Sequence, residues 1–410
     1  MKLQLGWGDL AAGALACLSG GEREQLVSQT EAYWPGETSL LCFSVRSGFD
    51  LLLQALELQP NDEVIFSALN IKGMIGIVNR EGYLPIPLDI DKASISPSLE
   101  TLKRAITPRS KILVLAHLFG CRLKFDGLID AAHEAGLIVV EDCAQAFNGR
   151  DYPGHPKADV VMFSFGPLKN ATALGGGLLN VRDAALREKM RGIQAGYPVQ
   201  PTGKQAKRIF QFAGLKLFAM PSVLGLMHRF FSATGRDFED SVSERVRNVA
   251  KFKKAKNLRV QPSTALVALL SRRLARFDPQ SLQRRAAKGQ RLKGLLDGSM
   301  ELPGQANAYH DYWVFPTVVN TPGNFIAKLR RHGFDAANLP LNQAVSAPED
   351  RPQLEPRTAA DLLAKLVILP CYDGLPDREL QRLANLVRDA AADPTLAASL
   401  NVSGLAEEGV

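Results

Sequence analysis

Short apolar runs alternate with helical patterns between about Leu40 and Val181. The runs are rich in valine, isoleucine and leucine, which is typical of parallel strands buried on both faces. Helical periodicity separates several of them, as in Gly48 to Leu58 and Phe125 to Ala135. This alternation predicts an α/β fold whose mostly parallel central sheet carries helices on both faces. The predicted strands are Leu40 to Val45, Glu63 to Ala68, Tyr83 to Ile90, Lys111 to Leu118, Leu137 to Asp142 and Val160 to Phe165.

The pattern changes at a Pro/Gly-containing turn, Tyr197 to Gly203, and a smaller α+β domain is predicted near the C-terminus. Its strands are Tyr312 to Val319 and Lys365 to Pro370, and its helices are Asn324 to Gly333 and Asp377 to Ala391. We therefore divide the chain into an N-terminal arm (1–34), a large domain (35–203), a basic and apolar helical insertion (204–256), a small C-terminal domain (257–395) and a tail (396–410).

Charge is distributed unevenly along the 410 residues. The chain carries 49 Lys and Arg against 42 Asp and Glu, a formal charge of +7. Residues 204–293 alone hold 21 basic and 5 acidic residues, so this segment is at +16 and the rest of the chain at −9. The imbalance predicts a basic face on one region.

Cysteine content and hydropathy favour a cytoplasmic globular protein. Five cysteines without a C-x-x-C pair predict neither a disulfide framework nor a zinc site, and they favour a reducing compartment. Gly6, Gly8 and Asp9 interrupt the apolar run that a signal peptide would need. The longest uncharged run within 209–231 has 11 residues, too short for the ~20 of a membrane-spanning helix.

Polar residues suited to chemistry follow three of the predicted strands. One strand continues into Glu141-Asp142-Cys143-Ala144-Gln145, and the first strand runs into Arg46-Ser47-Gly48 at a helix start. A third ends in the segment Ser164 to Lys169, which precedes Gly175-Gly176-Gly177. Because ligands of such sheets lie beyond the carboxyl ends of the strands, this edge offers an acid, a lysine and an anion-binding turn.

The same motifs occur, in the same order and with compatible spacing, in a known family. The chain resembles the DegT/StrS-type sugar aminotransferases, which are fold-type I enzymes dependent on pyridoxal 5'-phosphate (PLP). The resemblance extends over about residues 35–390 and implies the fold-type I transferase architecture. The matching segments are Ser47-Gly48-Phe49, Asn61 to Ile65, Leu88 to Asp91, Glu141 to Gln145, Ser164 to Lys169 and Gly176-Gly177.

The resemblance assigns the catalytic role to Lys169, which would form a Schiff base with PLP and then move protons. Asp142 would pair with the pyridine nitrogen and keep it protonated, and Gln145 would reach the phenolic oxygen. Considered without the resemblance, the three residues also fit an ordinary loop lysine, a helix N-cap and a surface glutamine.

For the cofactor phosphate, the resemblance implies the backbone amides of Gly48 and Phe49 and the hydroxyl of Ser164. Phe49 departs from the family, because relatives carry Thr or Ser there. One hydroxyl contact to the phosphate is therefore missing or replaced.

Two further cofactor contacts also depart from the family pattern. Ile71 stands where many relatives stack an aromatic ring on PLP, and it can pack but not stack. Arg259 aligns with an asparagine that reaches the phosphate across a dimer in relatives, and a guanidinium could bind that group bidentately. The loop 338–342 lacks the histidine and tyrosine often found there.

The insertion 204–256 leaves three interpretations open. It could be a solvated basic surface with a hairpin that packs in the dimer. It could be a membrane-surface element through 208–231, because an apolar helix flanked by Lys and Arg binds anionic headgroups. It could also capture a phosphate-bearing substrate. Nucleic-acid binding is not indicated, since basic and aliphatic residues alternate without a known module.

These observations predict a homodimeric PLP-dependent aminotransferase with active sites at the subunit interface. The amino group would pass from glutamate to a keto-sugar carried on a nucleotide or lipid. Two alternatives stay open: an aminotransferase for a long-chain or lipid carbonyl delivered from the inner face of the membrane, and an inactive PLP-binding regulatory relative. A nicotinamide dehydrogenase is disfavoured because no G-x-G-x-x-G follows an early strand.

Overall fold

The computed structural model describes residues 4–19, 21–218, 258–296, 298–338 and 342–392. Its main sheet has seven strands: β1 (Ser39–Cys42), β2 (Glu63–Ser67), β4 (Leu84–Leu88), β5 (Ser110–Ala116), β7 (Ile138–Asp142), β8 (Val160–Ser164) and β9 (Gly177–Val181). They lie in the order β1-β9-β8-β7-β5-β2-β4. Neighbours from β8 to β4 are parallel, whereas β9 is antiparallel to both β1 and β8. The predicted mostly parallel sheet is confirmed.

Both faces of this sheet are covered. In β8, Val161 and Phe163 belong to one apolar cluster, and Val160 and Met162 belong to another. Successive side chains of a strand point to opposite faces, so two buried faces require an uninterrupted apolar run. The covering helices of the large domain are α3 (Val45–Leu56), α4 (Lys72–Arg80), α5 (Leu99–Ala105), α6 (Asp126–Glu134) and α7 (Ala184–Ala195).

The region predicted as an N-terminal arm forms two helices, α1 (Trp7–Ser19) and α2 (Arg23–Glu31). Helix α1 packs against α8 (Thr202–Phe218) and α9 (Thr264–Ala275). Asp9 fixes this packing, because its carboxylate accepts from Arg272 at 3.2 Å and from Arg273 at 2.8 Å. Leu266 and Leu270 of α9 lie in the core of the sheet.

The C-terminal region has its own apolar cluster. Strand β11 (Phe315–Val318) pairs antiparallel with β13 (Leu366–Leu369). The cluster combines these strands with α10 (Pro279–Leu296), α11 (Pro322–Arg331) and α13 (Asp377–Ala391). A further helix, α12 (Arg357–Lys365), contributes to the core of the sheet.

Two short antiparallel pairings join the C-terminal region to the large domain. β10 (Tyr309–His310) pairs with β6 (Cys121–Arg122), and β12 (Asn342–Ala344) pairs with β3 (Leu69–Ile71). The proposed insertion is described only as far as α8, and residues 219–257 lie outside the described ranges. No helix in the described part of the chain is both long enough and apolar enough to cross a membrane.

Candidate functional site

Three chain segments, the end of β8, the start of β9 and the start of α3, meet at the carboxyl edge of the sheet. Ser164, the last residue of β8, pairs with Gly177, the first residue of β9. Gly177 in turn lies against the start of α3, where a Cβ atom on it would be 2.6 Å from the Val45 nitrogen. Only glycine permits this approach, so the Gly-Gly motif holds β9 against α3. Ser44 caps the helix with its Oγ, which accepts from the Ser47 N–H at 3.1 Å.

Lys169 lies on the loop after β8. Its backbone N–H donates to the Gly166 carbonyl at 3.0 Å, and its Nζ lies 4.3 Å from the centroid of the Trp313 ring. Burial lowers the pKa of the amine to about 8, against the opposing attraction of the Asp142 carboxylate. The structure therefore brings together the predicted lysine and acid, and it shifts the amine toward its nucleophilic neutral form.

Asp142 ends β7 and is buried. Its Oδ1 accepts from the Ala144 N–H at 2.9 Å. Burial raises the pKa of the carboxyl despite this hydrogen bond and the charge of Lys169. A cation held against Asp142 would reverse that shift, as a protonated pyridine nitrogen does.

Gln145 is fixed toward the same edge, because its Oε1 accepts from the Phe119 N–H at 2.8 Å. Its Nε2 group donates to no acceptor among the described residues, so it is available as a donor. The glutamine is therefore positioned by the fold and is not a freely solvated side chain.

The helix motif contributes backbone rather than side chains. A Cβ on Gly48 would overlap Leu179, so this glycine is required for packing on the sheet. The Gly48 N–H donates to the Ser44 carbonyl at 2.9 Å, so a phosphate would have to share that donor. The Phe49 ring is fully buried and meets Phe66 edge to face, with centroids 6.1 Å apart. Its side chain faces the core and offers no hydroxyl to a phosphate.

Ile71 ends β3 and occupies the N-cap position of α4. It is partly buried and pairs with Asn342 of β12, the last residue of the loop 338–342. Residues 339–341 of that loop lie outside the described ranges. Contact of Ile71 with the cofactor ring stays a prediction.

Arg259 has two acidic partners in this structure. Its Nε donates to Asp50 at 3.1 Å and its Nη2 to Glu81 at 2.8 Å. Asp50 is fully buried and also binds Arg80. The geometry thus gives Arg259 an ion-pair role between α3 and the end of α4. A phosphate contact would require it to leave a buried carboxylate, at a large desolvation cost.

Sequence reasoning missed a buried network behind Asp142. His117 Nδ1 accepts from the Leu123 N–H at 3.0 Å, so the proton lies on Nε2, which meets Glu141 Oε1 at 2.7 Å. Glu141 also accepts from Tyr152 and from the His155 N–H. Burial acts to raise the pKa of Glu141, but the His117 contact and the other donors hold it below its usual value. In the sequence, this network is indicated by the position of Glu141 next to Asp142.

Cys143 lies beside this network, and its Sγ, Glu141 and His117 are within 4.8 Å of one another. Both ring nitrogens of His117 are already engaged, and burial with the adjacent carboxylates raises the pKa of the Cys143 thiol well above its usual value. The trio therefore acts as a hydrogen-bonded support for the strand end rather than as a metal centre.

A cavity of about 340 Å³ opens next to Lys169. Trp313 forms part of its wall and donates from Nε1 to the Leu168 carbonyl at 2.9 Å. Arg276 also lines it and forms no ion pair with a described carboxylate. These residues are distant from Lys169 in sequence, and no local motif indicates them.

Known proteins share this architecture. The Helicobacter pylori aminotransferase PseC of pseudoaminic acid biosynthesis superimposes with a TM-score of 0.69 at 16% identity, covering 95% of this chain and 97% of that chain. NtdA from Bacillus subtilis, solved with bound pyridoxamine phosphate (PMP), gives a TM-score of 0.67 at 19% identity, covering 94% and 83%. The fold is therefore the α/β architecture of PLP-type sugar aminotransferases.

The sequence itself matches the DegT/DnrJ/EryC1/StrS aminotransferase family over residues 13–388. The chain belongs to this family. A curated relative, the UDP-N-acetyl-3-dehydro-α-D-glucosamine 3-aminotransferase of Acidithiobacillus ferrooxidans, is 35% identical over 158 residues, which are 37% of this chain and 42% of that protein. The aligned region thus spans about two fifths of the relative's length.

Proposed function

We propose that this chain is a PLP-dependent aminotransferase that transfers an amino group from glutamate to a keto-sugar carried on a nucleotide. The observation that carries the proposal is that Lys169, an amine with a pKa lowered to about 8, and the buried carboxylate of Asp142 lie at one sheet edge, close enough for the charge of each to shift the pKa of the other. Family membership and the relative that acts on a UDP-sugar support the reaction and substrate class. They do not favour the lipid-carbonyl alternative.

The residues present fit PLP. When bound, PLP supplies an aldehyde for the lysine and an electron-withdrawing ring that stabilises negative charge on the carbon losing a proton. Lys169 would hold the cofactor and then carry protons through Nζ, and the Trp313 face would position the charged amine. Asp142 would hold the pyridine nitrogen protonated, and the free Nε2 of Gln145 would donate toward the ring oxygen. Ser164 would donate its hydroxyl to the phosphate.

The first experiment measures covalent cofactor binding. PLP added to the protein should produce a visible absorption band, and borohydride reduction should fix the cofactor on the peptide containing Lys169. Lys169→Ala should lose the band. Lys157→Ala, which removes an exposed lysine paired with Asp130, should keep it. Absence of the adduct in wild-type protein saturated with PLP would overturn the proposal.

The second experiment tests the reaction and the substrate. Glutamate should convert the loaded protein to its PMP form and release 2-oxoglutarate, and a UDP-linked keto-sugar should restore the PLP form. Catalysed conversion of a long-chain aldehyde but not of the UDP-linked sugar would contradict the substrate class. The homodimer expected from the resemblance is part of the proposal, and light scattering of the loaded protein tests it.

A further inference from the structure

Two arginines, one at the start of α3 and one on α8, have no acidic partner among the described residues. Arg46 is the second residue of the helix, and Arg208 projects from α8. Neither makes an ion pair with any carboxylate of the described ranges, whereas Arg80, Arg259, Arg273 and Arg285 do. Arg208 Nη1 donates instead to the Leu174 carbonyl at 2.7 Å, beside the Gly-Gly turn. Both side chains are partly buried, which removes part of their solvation without an opposite charge nearby.

The side chain of Arg46 lies against the start of a second helix, α4. A Cβ on Gly73, the second residue of α4, would lie 2.8 Å from Arg46 Cδ and 3.2 Å from its Nη1. A side chain at position 73 would therefore displace the arginine. The N-termini of α3 and α4 both carry partial positive charge, so they add to the cationic character of this point.

The electrostatics agree with this geometry. Burial lowers the pKa of both arginines, and the charge of Arg46 lowers that of Arg208 further. The two cations thus lie close enough to repel each other. A dianion between them would relieve the repulsion and restore the lost solvation, whereas a neutral ligand would not.

The ligand chemistry follows from the neighbours. Arg46 follows Val45, which lies against Gly177, the strand partner of Ser164. Phe49, three residues further along α3, has a buried ring and supplies no hydroxyl. We propose that Arg46 and Arg208 bind the phosphate of the cofactor, with a guanidinium taking over from the hydroxyl that Phe49 cannot supply. This inference rests on the proposed function, because it assigns the anion to PLP.

The test compares PLP with pyridoxal, which has the same ring and aldehyde but no phosphate. Arg46→Gln should weaken PLP binding by about 10- to 100-fold, the range expected for losing a charged hydrogen bond, and pyridoxal binding by less than about threefold. Arg208→Gln should act in the same direction. Arg46→Lys keeps the charge and should recover part of the loss. Arg378→Gln removes an exposed arginine elsewhere and should leave both ligands unaffected.

Inorganic phosphate provides a readout independent of the lysine. It should raise the melting temperature of wild-type protein free of PLP and should not do so in Arg46→Gln. The inference would be overturned if Arg46→Gln left the ratio of PLP affinity to pyridoxal affinity at its wild-type value, whether neither affinity changed or both fell equally. If phosphate stabilises the protein through Arg46 while neither aldehyde reacts with Lys169, the proposed function and the assignment to PLP both fail, and a separate anion site remains.

Discussion

Lys169 shows how one residue can be poorly placed for stability and well placed for chemistry. Desolvation favours the neutral amine, which is the form that attacks a carbonyl. The Trp313 ring and the Asp142 charge stabilise the protonated form and so offset part of the desolvation effect. The side chain is therefore balanced between two protonation states near physiological pH.

This balance predicts the pH dependence of cofactor attachment. The rate at which PLP forms its covalent adduct should rise through a midpoint near pH 8, and not near the ordinary lysine value of about 10.4. Because the Asp142 charge raises the pKa of Lys169, Asp142→Asn should move the midpoint lower. Stopped-flow absorbance across pH measures both. A wild-type midpoint above pH 10 would contradict the burial of the amine.

The buried His117 and Glu141 pair supports the strand that ends in Asp142. His117→Leu should cost about 2 to 4 kcal/mol of unfolding free energy, because Glu141 loses a donor within the core. His117 also lowers the pKa of Glu141, so without it this stabilisation should disappear at a higher pH as acid is added.

Chemical denaturation at several pH values measures this effect, and His133→Leu is the control. His133 meets Asp159 at 3.0 Å in a partly exposed pair, so its loss should cost less than about 1 kcal/mol. Equal losses for the two variants would mean that the buried pair contributes no more than a surface one.

Glycines of α3 and α4 differ in how closely other atoms approach them. Gly48 of α3 lies directly on Leu179 of β9, and Gly73 of α4 makes room for Arg46. Gly76 of α4, in contrast, has no atom within 4 Å of an added Cβ. The first two positions are constrained by packing, whereas the third only weakens its helix.

Opposite effects on stability are therefore expected from the same substitution. Gly48→Ala should destabilise the protein by about 1 to 3 kcal/mol through overpacking. Gly76→Ala should stabilise it by about 0.5 to 1 kcal/mol through helix propensity. Urea unfolding of the two variants measures this. A neutral Gly48→Ala would show that α3 can shift away from the sheet without cost.

The sequence predicted the elements whose signal is local. The strands ending in Asp142 and Ser164 are short apolar runs, so their position and the residues after them could be found directly. Strand β9 was not among the predicted strands, because it begins in the glycine turn and becomes a strand through pairing with β1 and β8. Trp313 and Arg208 were missed for a related reason. Their contacts to Leu168 and Leu174 join residues 145 and 34 positions apart.

At the scale of the whole molecule, the N-terminal helices and the C-terminal region both pack against the large domain. Helix α1 reaches α9 through Asp9, and β12 reaches β3 beside Ile71. The cavity next to Lys169 is bounded by the loop after β8, the end of α9 and residues 371–374. The site therefore depends on segments from most of the chain, although its chemistry lies on three strand ends.

The Asp9 contact gives a prediction for the N-terminal helices. Asp9→Ala removes the partner of Arg272 and Arg273, so it should cost about 1 to 3 kcal/mol and speed tryptic cleavage after Arg23, the first residue of α2. Asp130→Ala removes an exposed partner of Lys157 and should change stability by less than about 0.5 kcal/mol. Thermal unfolding and limited trypsin digestion measure these effects. Identical digestion of both variants would contradict an anchoring role for Asp9.

The close contact between Gly177 and Val45 has a consequence for folding. The start of α3, where we propose that the phosphate binds, is complete only after β9 has entered between β1 and β8, a non-local pairing that joins Ser39 to Asn180. Such pairings form slowly because the intervening chain must first be ordered. A partly folded chain could present Lys169 and Asp142 but would lack the completed helix start at which anion binding is proposed. Cofactor binding would then select completed molecules and stabilise them in proportion to the free ligand, so the supply of cofactor would help to set how much folded protein persists.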